Sequence, residues 1–172
     1  MRSAGFTLVE LLVAAAIIGV VLVAAFGWLW NVAAVAAKAD DRAQAATIAA
    51  ACTRAVACDV GAALAVVPPP SGRQPARTLA LLHDRPEVAG DDVLVVWDPS
   101  RRVVWRNASG TYIADHVAAF AVAYVLADGS LVAGEHMGVV QWPDVHGVRI
   151  DLTVAVGSAT VARTLLVSVR PS

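Results

Sequence analysis

Histidines, cysteines and turn serines are the side chains in this 172-residue chain whose types could do covalent or proton-transfer chemistry. Two of the four histidines, His83, His116, His136 and His146, directly follow an acid, as Asp115-His116 and Glu135-His136. A general base must lie within hydrogen-bond reach of its partner. Neighbours on a strand point to opposite faces, so on strands neither pair forms a dyad. Ser71, Ser109 and Ser130 fall in turn-forming sequence with no Gly-x-Ser-x-Gly elbow around them. No Gly-rich phosphate loop and no His-x-x-x-His pair occurs. Asp91, Asp92 and the Asp128/Ser130 turn carry oxygens that could bind a cation, but solvated turn acids account for them better. These residues predict no catalytic group, no metal site and no cofactor.

Cys52 and Cys58 are the only cysteines. Inside one helix six residues rise about 9 Å, whereas bridged Cα atoms lie within about 7 Å. A disulfide between them requires the helix to end or unwind there, with Asp59 and Gly61 as breakers just beyond. The other reading is two separate packing residues. Two cysteines at this spacing with no nearby histidine do not suggest a zinc site.

The element that must position any chemistry here is the N-terminal run. Gly5-Phe6-Thr7-Leu8-Val9-Glu10 opens an apolar stretch that is uncharged from Leu11 to Trp30. About 20 such residues span a bilayer as a helix. A carboxylate at the mouth of that run costs on the order of 2–3 kcal/mol even on lenient insertion scales, so Glu10 calls for a partner such as a nearby free amine. A secretory signal peptide has an apolar core of about 7–15 residues after a basic region. Here the basic region is Arg2 alone and the run is longer, which fits that template poorly.

The segment resembles the processing site of type IV prepilins and of the pseudopilins of type II secretion. A short basic leader, Gly5, the aromatic Phe6, then Thr7-Leu8-Val9-Glu10 and a long apolar helix reproduce the whole pattern. The resemblance implies that a prepilin peptidase cuts between Gly5 and Phe6 and methylates the Phe6 amine. It further implies that Glu10 neutralises the Phe6 amine of a neighbouring subunit during filament assembly. The partners it implies are other pilin or pseudopilin subunits, the prepilin peptidase and an inner-membrane assembly platform.

Composition agrees with a tethered, exported chain. Hydrophobic residues make up 58% and charged residues 16%, with a mean hydropathy of +0.66; average globular chains carry about 25% charged residues. A net charge of -1 disfavours a broad nucleic-acid-binding face. Arg2 precedes the span, and Lys38, Asp40, Asp41 and Arg42 follow it as a near-neutral cluster, so the leader side is expected to be cytoplasmic. The expected location is the bacterial inner membrane, single-pass, with the bulk of the chain outside.

The expected fold is α+β: a long N-terminal helix, membrane-spanning in its first half, packed on a mainly antiparallel β-sheet head. The expected parts are a leader at 1–5, a transmembrane or filament-core helix at 6–30, an amphipathic helix at 31–60 and a β-rich head at 61–172. No Pro or Gly occurs from Trp28 to Cys58, so one helix from Phe6 to about Cys58 is the simplest account. Val32, Val35, Ala39, Ala46, Ala49 and Cys52 recur at helical spacing as its apolar stripe. Strands are expected near 62–67, 78–83, 93–97, 102–106, 119–126, 131–133, 148–156 and 161–170, with turns at Asp98-Pro99-Ser100-Arg101, Asp128-Gly129, Trp142-Pro143-Asp144 and Gly157-Ser158-Ala159-Thr160.

The run Val117, Phe120, Tyr124, Asp128-Gly129, then Trp142, Val145 and Val148-Arg149-Ile150-Asp151-Leu152, looks like the distal half of W-type minor pilins and is similar to J-type minor pseudopilins. That likeness implies a minor subunit helping to initiate or cap a filament. Two other functions compete with it. A tip subunit that binds a surface or DNA would need a basic or aromatic patch, for which Arg101, Arg102, Arg106 and Trp105 are the candidates. A membrane-anchored extracytoplasmic enzyme would keep its activity without residues 1–30.

Overall fold

The computed structural model describes residues 7–83, 93–107 and 111–169. Among the described residues one α-helix, α1 (Leu8–Ala62, 55 residues), precedes nine strands. The chain divides into two compact units at Asp40 and Asp41.

In the first unit the described residues are almost all α1. Its large apolar side chains stand open, including Leu11 at 66%, Val20 at 71% and Trp30 at 79% exposure. It contains an 18-residue window of mean hydropathy 2.8, and α1 is long and apolar enough to cross a membrane. Full burial of each such side chain is worth roughly 1.5–3 kcal/mol. The exposed stretch is therefore built for lipid or for other helices rather than water.

In the second unit, the rest of α1 presents Ala45, Ala49, Cys52, Val56 and Val60 to the core. Their spacing of three and four residues makes one helical face. The stripe expected from sequence differs: Val32 and Val35 are exposed and Ala46 is only half-buried. Adjacent alanines (Ala45-Ala46, Ala49-Ala50-Ala51) let the same sequence be drawn on two faces, and packing against the strands selects one. Asp59 and Gly61 do not break the helix, which continues to Ala62. Asp59 is instead held by contacts to the head that a helical backbone permits.

Among the described residues all the strand ladders are antiparallel, as expected of the head, and they form two sheets. The first is a meander of β1 (Ala65–Val67), β2 (Thr78–Leu82), β3 (Val93–Asp98), β4 (Val103–Arg106) and β5 (Thr111–Ala114), in that order. The second contains β6 (Val117–Leu126), β7 (Leu131–Ala133), β8 (Val145–Val156) and β9 (Ala159–Ser168), in the order β7-β6-β8-β9. Two 3-10 turns, Gly134–His136 and Val139–Asp144, link β7 to β8. The last hairpin is tighter than expected: Ala159 and Thr160 already pair with Val156 and Ala155, leaving Gly157 and Ser158 as the turn.

Bulky and thin faces alternate along β6, as its sequence predicts. Phe120, Val122 and Tyr124 are buried and sit opposite Leu152, Ile150 and Val148 of β8, all in the core. The core is shared by both sheets and the second part of α1. The sheets are also joined by polar contacts. The Trp97 indole N–H donates to the Val117 carbonyl at 3.3 Å, and the Tyr124 hydroxyl lies 3.0 Å from the Pro75 carbonyl oxygen and 3.2 Å from that of Thr78. The Tyr124 and Trp142 rings meet edge to face at 5.0 Å. The second unit is thus the last part of α1 packed on antiparallel strands, and one long apolar helix with two antiparallel sheets makes an α+β, pilin-like arrangement.

Candidate functional site

Gly5 and Phe6 lie outside the described residues, so the site is built from Thr7 onward. Thr7 precedes the first helical residue, and its carbonyl accepts the Leu11 amide at 3.2 Å. The Thr7 amide and hydroxyl both donate to Glu10 Oε2, each at 3.0 Å. In return the Glu10 amide donates to the Thr7 hydroxyl oxygen at 3.3 Å. This is a capping box, in which a Thr and a Glu three residues apart satisfy each other's backbone donors at a helix start. Thr-x-x-Glu before an apolar run is its sequence signature, and that signal stands in Thr7–Glu10. Thr7 is thus a second partner for Glu10, beside the amine expected from the sequence. The box supplies hydrogen bonds without cancelling the carboxylate's charge, so need for a cation at Glu10 persists in an apolar surrounding.

Cys52 is buried and Cys58 exposed, and both are free thiols. The helix runs unbroken through both, so the unwinding that a bridge between them requires is absent. Burial pushes the Cys52 thiol up to about 12.

The histidine pairs depart from the strand geometry expected of them. Asp115 and His116 lie between β5 and β6, with His116 at φ 56°, and there the side chains meet: His116 Nδ1 is 3.0 Å from Asp115 Oδ1. Glu135 and His136 sit on a 3-10 turn with His136 Nδ1 3.9 Å from Glu135 Oε1. Turn backbones bring neighbours together where a strand would separate them. Both pairs are well exposed. The Asp128 carboxylate accepts the Ser130 amide at 2.8 Å, and hydrogen bonding from Ser130 holds it below the usual carboxylate range. Asp91 and Asp92 lie outside the described residues. Among the described residues no group of three or more His, Cys, Asp or Glu is placed to hold a metal ion.

Arg101, Arg102 and Arg106 of the candidate basic patch are all exposed, and two of them have acidic partners. Arg106 Nη2 binds Asp59 Oδ1 at 2.6 Å, and the Arg101 Nε lies 3.9 Å from Asp98. Trp105 packs edge-on against Tyr112 at 6.0 Å. The Asp59 contact was not visible in the sequence, because its partners lie far along the chain. His83 Nε2 donates to the Asp59 carbonyl at 2.9 Å, so one helical residue is tied to β4 by its side chain and to the end of β2 by its backbone.

With this geometry in place, the comparisons with known proteins bear on one end of the chain. Residues 1–26 match the family described as the prokaryotic N-terminal methylation motif. No curated protein and no solved structure matches the chain. The motif, followed by a long exposed apolar helix, supports a type IV pilin-like protein. It implies processing by a prepilin peptidase, membrane anchoring through α1 and contacts with other pilin-type subunits. That is the profile of a structural subunit.

Proposed function

We propose that the chain is a minor pilin or pseudopilin, a subunit that helps to initiate or cap the filament of a type IV pilus or a type II secretion pseudopilus. The observation that carries this reading is the methylation motif at residues 1–26 running directly into a helix whose apolar side chains are open to their surroundings. Peptidase cleavage between Gly5 and Phe6 creates the mature terminus, which is then methylated. The leader side is cytoplasmic and the head lies outside the inner membrane.

Assembly moves the exposed part of α1 from lipid into a bundle of similar helices. There Glu10 meets the Phe6 amine of the adjacent subunit. In a low dielectric such a pair is strong when complete, and removing one partner costs about 3–5 kcal/mol. Glu10 therefore fixes the axial position of a subunit as well as its stability. The test is Glu10→Ala in the full-length protein, expressed with its filament system. The variant is expected in the membrane fraction and absent from sheared filaments. Incorporation at the wild-type level contradicts the proposal.

A further inference from the structure

Each sheet of the head is tied to α1 by one aspartate. Asp59 holds Arg106 of β4, in the first sheet. Its other oxygen, Oδ2, is buried with no hydrogen-bond partner among the described residues. Toward the start of the covered part of α1, Asp41 Oδ2 accepts the Ser158 amide at 3.1 Å, in the turn between β8 and β9 of the second sheet. Among the described residues no other α1 side chain hydrogen-bonds to that sheet. About five turns separate the two aspartates at 3.6 residues per turn, so both lie on the helical face that buries Ala45, Ala49, Cys52 and Val56. The Asp41 carboxylate occupies the place of a side chain at residue 157. A methyl group on Gly157 would lie 2.6 Å from Asp41 Cγ and 2.8 Å from its Oδ1. Gly157 also has φ 52°, a conformation that glycine adopts readily.

We propose that Asp41 is a latch that closes the tip of the β8–β9 hairpin onto α1, and that this tip opens and closes while the rest of the head stays folded. The two ties are unequal. Asp59 is 7% exposed and meets a guanidinium, whereas Asp41 is half-buried and meets a neutral backbone amide. β9 is an edge strand, and none of its residues from Ala159 to Ser168 is fully buried. Segments with few buried apolar contacts are the ones that open locally at low free-energy cost. Asp41 is also the first residue of the second unit, so the latch sets where the covered part of α1 begins. Opening it leaves the Asp59 tie in place and uncovers the helix from its Asp41 end. The inference concerns the head alone and holds whether or not α1 enters a filament.

Amide hydrogen exchange on the full chain in detergent tests the latch. The protected amides of residues 159–162, beside the turn, are compared with those of residues 165–168, at the far end of β9. Asp41→Ala is expected to speed exchange at the tip by about tenfold or more, as loss of a hydrogen bond to a charged group implies, and to leave the far end unchanged. Asp41→Asn keeps an acceptor oxygen and is expected to stay within about threefold of wild type. Gly157→Ala pushes the carboxylate off the turn, so adding Asp41→Ala to it is expected to change nothing further. Two substitutions that break one shared contact do not add. Unchanged exchange at the tip in Asp41→Ala, equal acceleration at both ends of β9, an Asp41→Asn variant as fast as Asp41→Ala, or effects that multiply in the double variant would each overturn the proposal.

Discussion

Glu10 folds back onto Thr7, its Oε2 accepting from both the threonine amide and hydroxyl at 3.0 Å. The acid at the mouth of the apolar helix therefore has two separable jobs: it closes the first turn, and it carries a charge that an apolar surrounding must see cancelled.

Substitution separates the two jobs. Glutamine completes a capping box as glutamate does, so Glu10→Gln is expected to keep the helix start while losing the charge. Its amide exchange over residues 8–11 in detergent should match wild type, and its recovery in filaments should fall. Thr7→Val should do the reverse: losing an N-cap hydroxyl costs about 1 kcal/mol, so the first turn frays while Glu10 stays charged. Equal filament recovery for both variants would show that the two jobs are one.

The buried end of α1 gives an asymmetric pair. Asp59 is held at 2.6 Å by Arg106, and the aspartate is the more buried partner, at 7% against 44% exposure. Arg106→Ala strands a buried carboxylate and is expected to cost about 3 kcal/mol. Asp59→Ala frees a guanidinium that can reach water and also removes the unpartnered Oδ2, so it should cost less, about 1–2 kcal/mol. Urea unfolding of the two variants checks the order.

The same residue sets a pH dependence. Burial raises the Asp59 carboxyl above its usual value, opposed by Arg106 and then by His83. The folded chain thus holds this proton more tightly than the unfolded chain. The contribution to stability is greatest below the ordinary carboxylate range and is lost as pH rises through the raised value. Asp98, Asp115 and Asp128 shift the other way and give the opposite slope, so the readout is the difference between wild type and Asp59→Asn. Wild type is expected to lose stability relative to the variant as pH rises. A relative gain would contradict the assignment.

Close packing fixes one glycine. A methyl group at Gly134 would lie 2.6 Å from the Ala76 Cα and backbone nitrogen. Gly134→Ala must push the 3-10 turn away from the Pro75–Ala76 segment, which also accepts the Tyr124 hydroxyl. Overpacking of this kind costs about 1–3 kcal/mol, and thermal unfolding in detergent measures it. An unchanged midpoint would show that the turn can move freely.

Much of this fold is legible in the sequence because it rests on local chemistry. The absence of Pro and Gly from Trp28 to Cys58 marks the helix as running on past the apolar stretch. Asp98–Arg101 and Asp128-Gly129 stand where β3 meets β4 and β6 meets β7, and alternation in Phe120–Leu126 names the buried face of β6. The parts that were not legible depend on distant partners. Nothing local says that the strands divide into two sheets at Asp115-His116, where His116 adopts φ 56°. The Ala-rich stretch fits two helical faces equally, and only the strands choose Ala45 over Ala46. Asp59 resembles a helix breaker until Arg106 and His83 come into place around it. The capping box is legible in Thr7–Glu10 as a Thr-x-x-Glu pattern before an apolar run.

The central claim is that Phe6 becomes a processed terminus that answers Glu10 on an adjacent subunit. Mass spectrometry of the intact protein recovered from cells with its prepilin peptidase tests it most directly. The account predicts a chain that begins at Phe6 and carries one added methyl group on that amine. A chain that still begins at Met1, or one trimmed well inside the apolar helix, would contradict it.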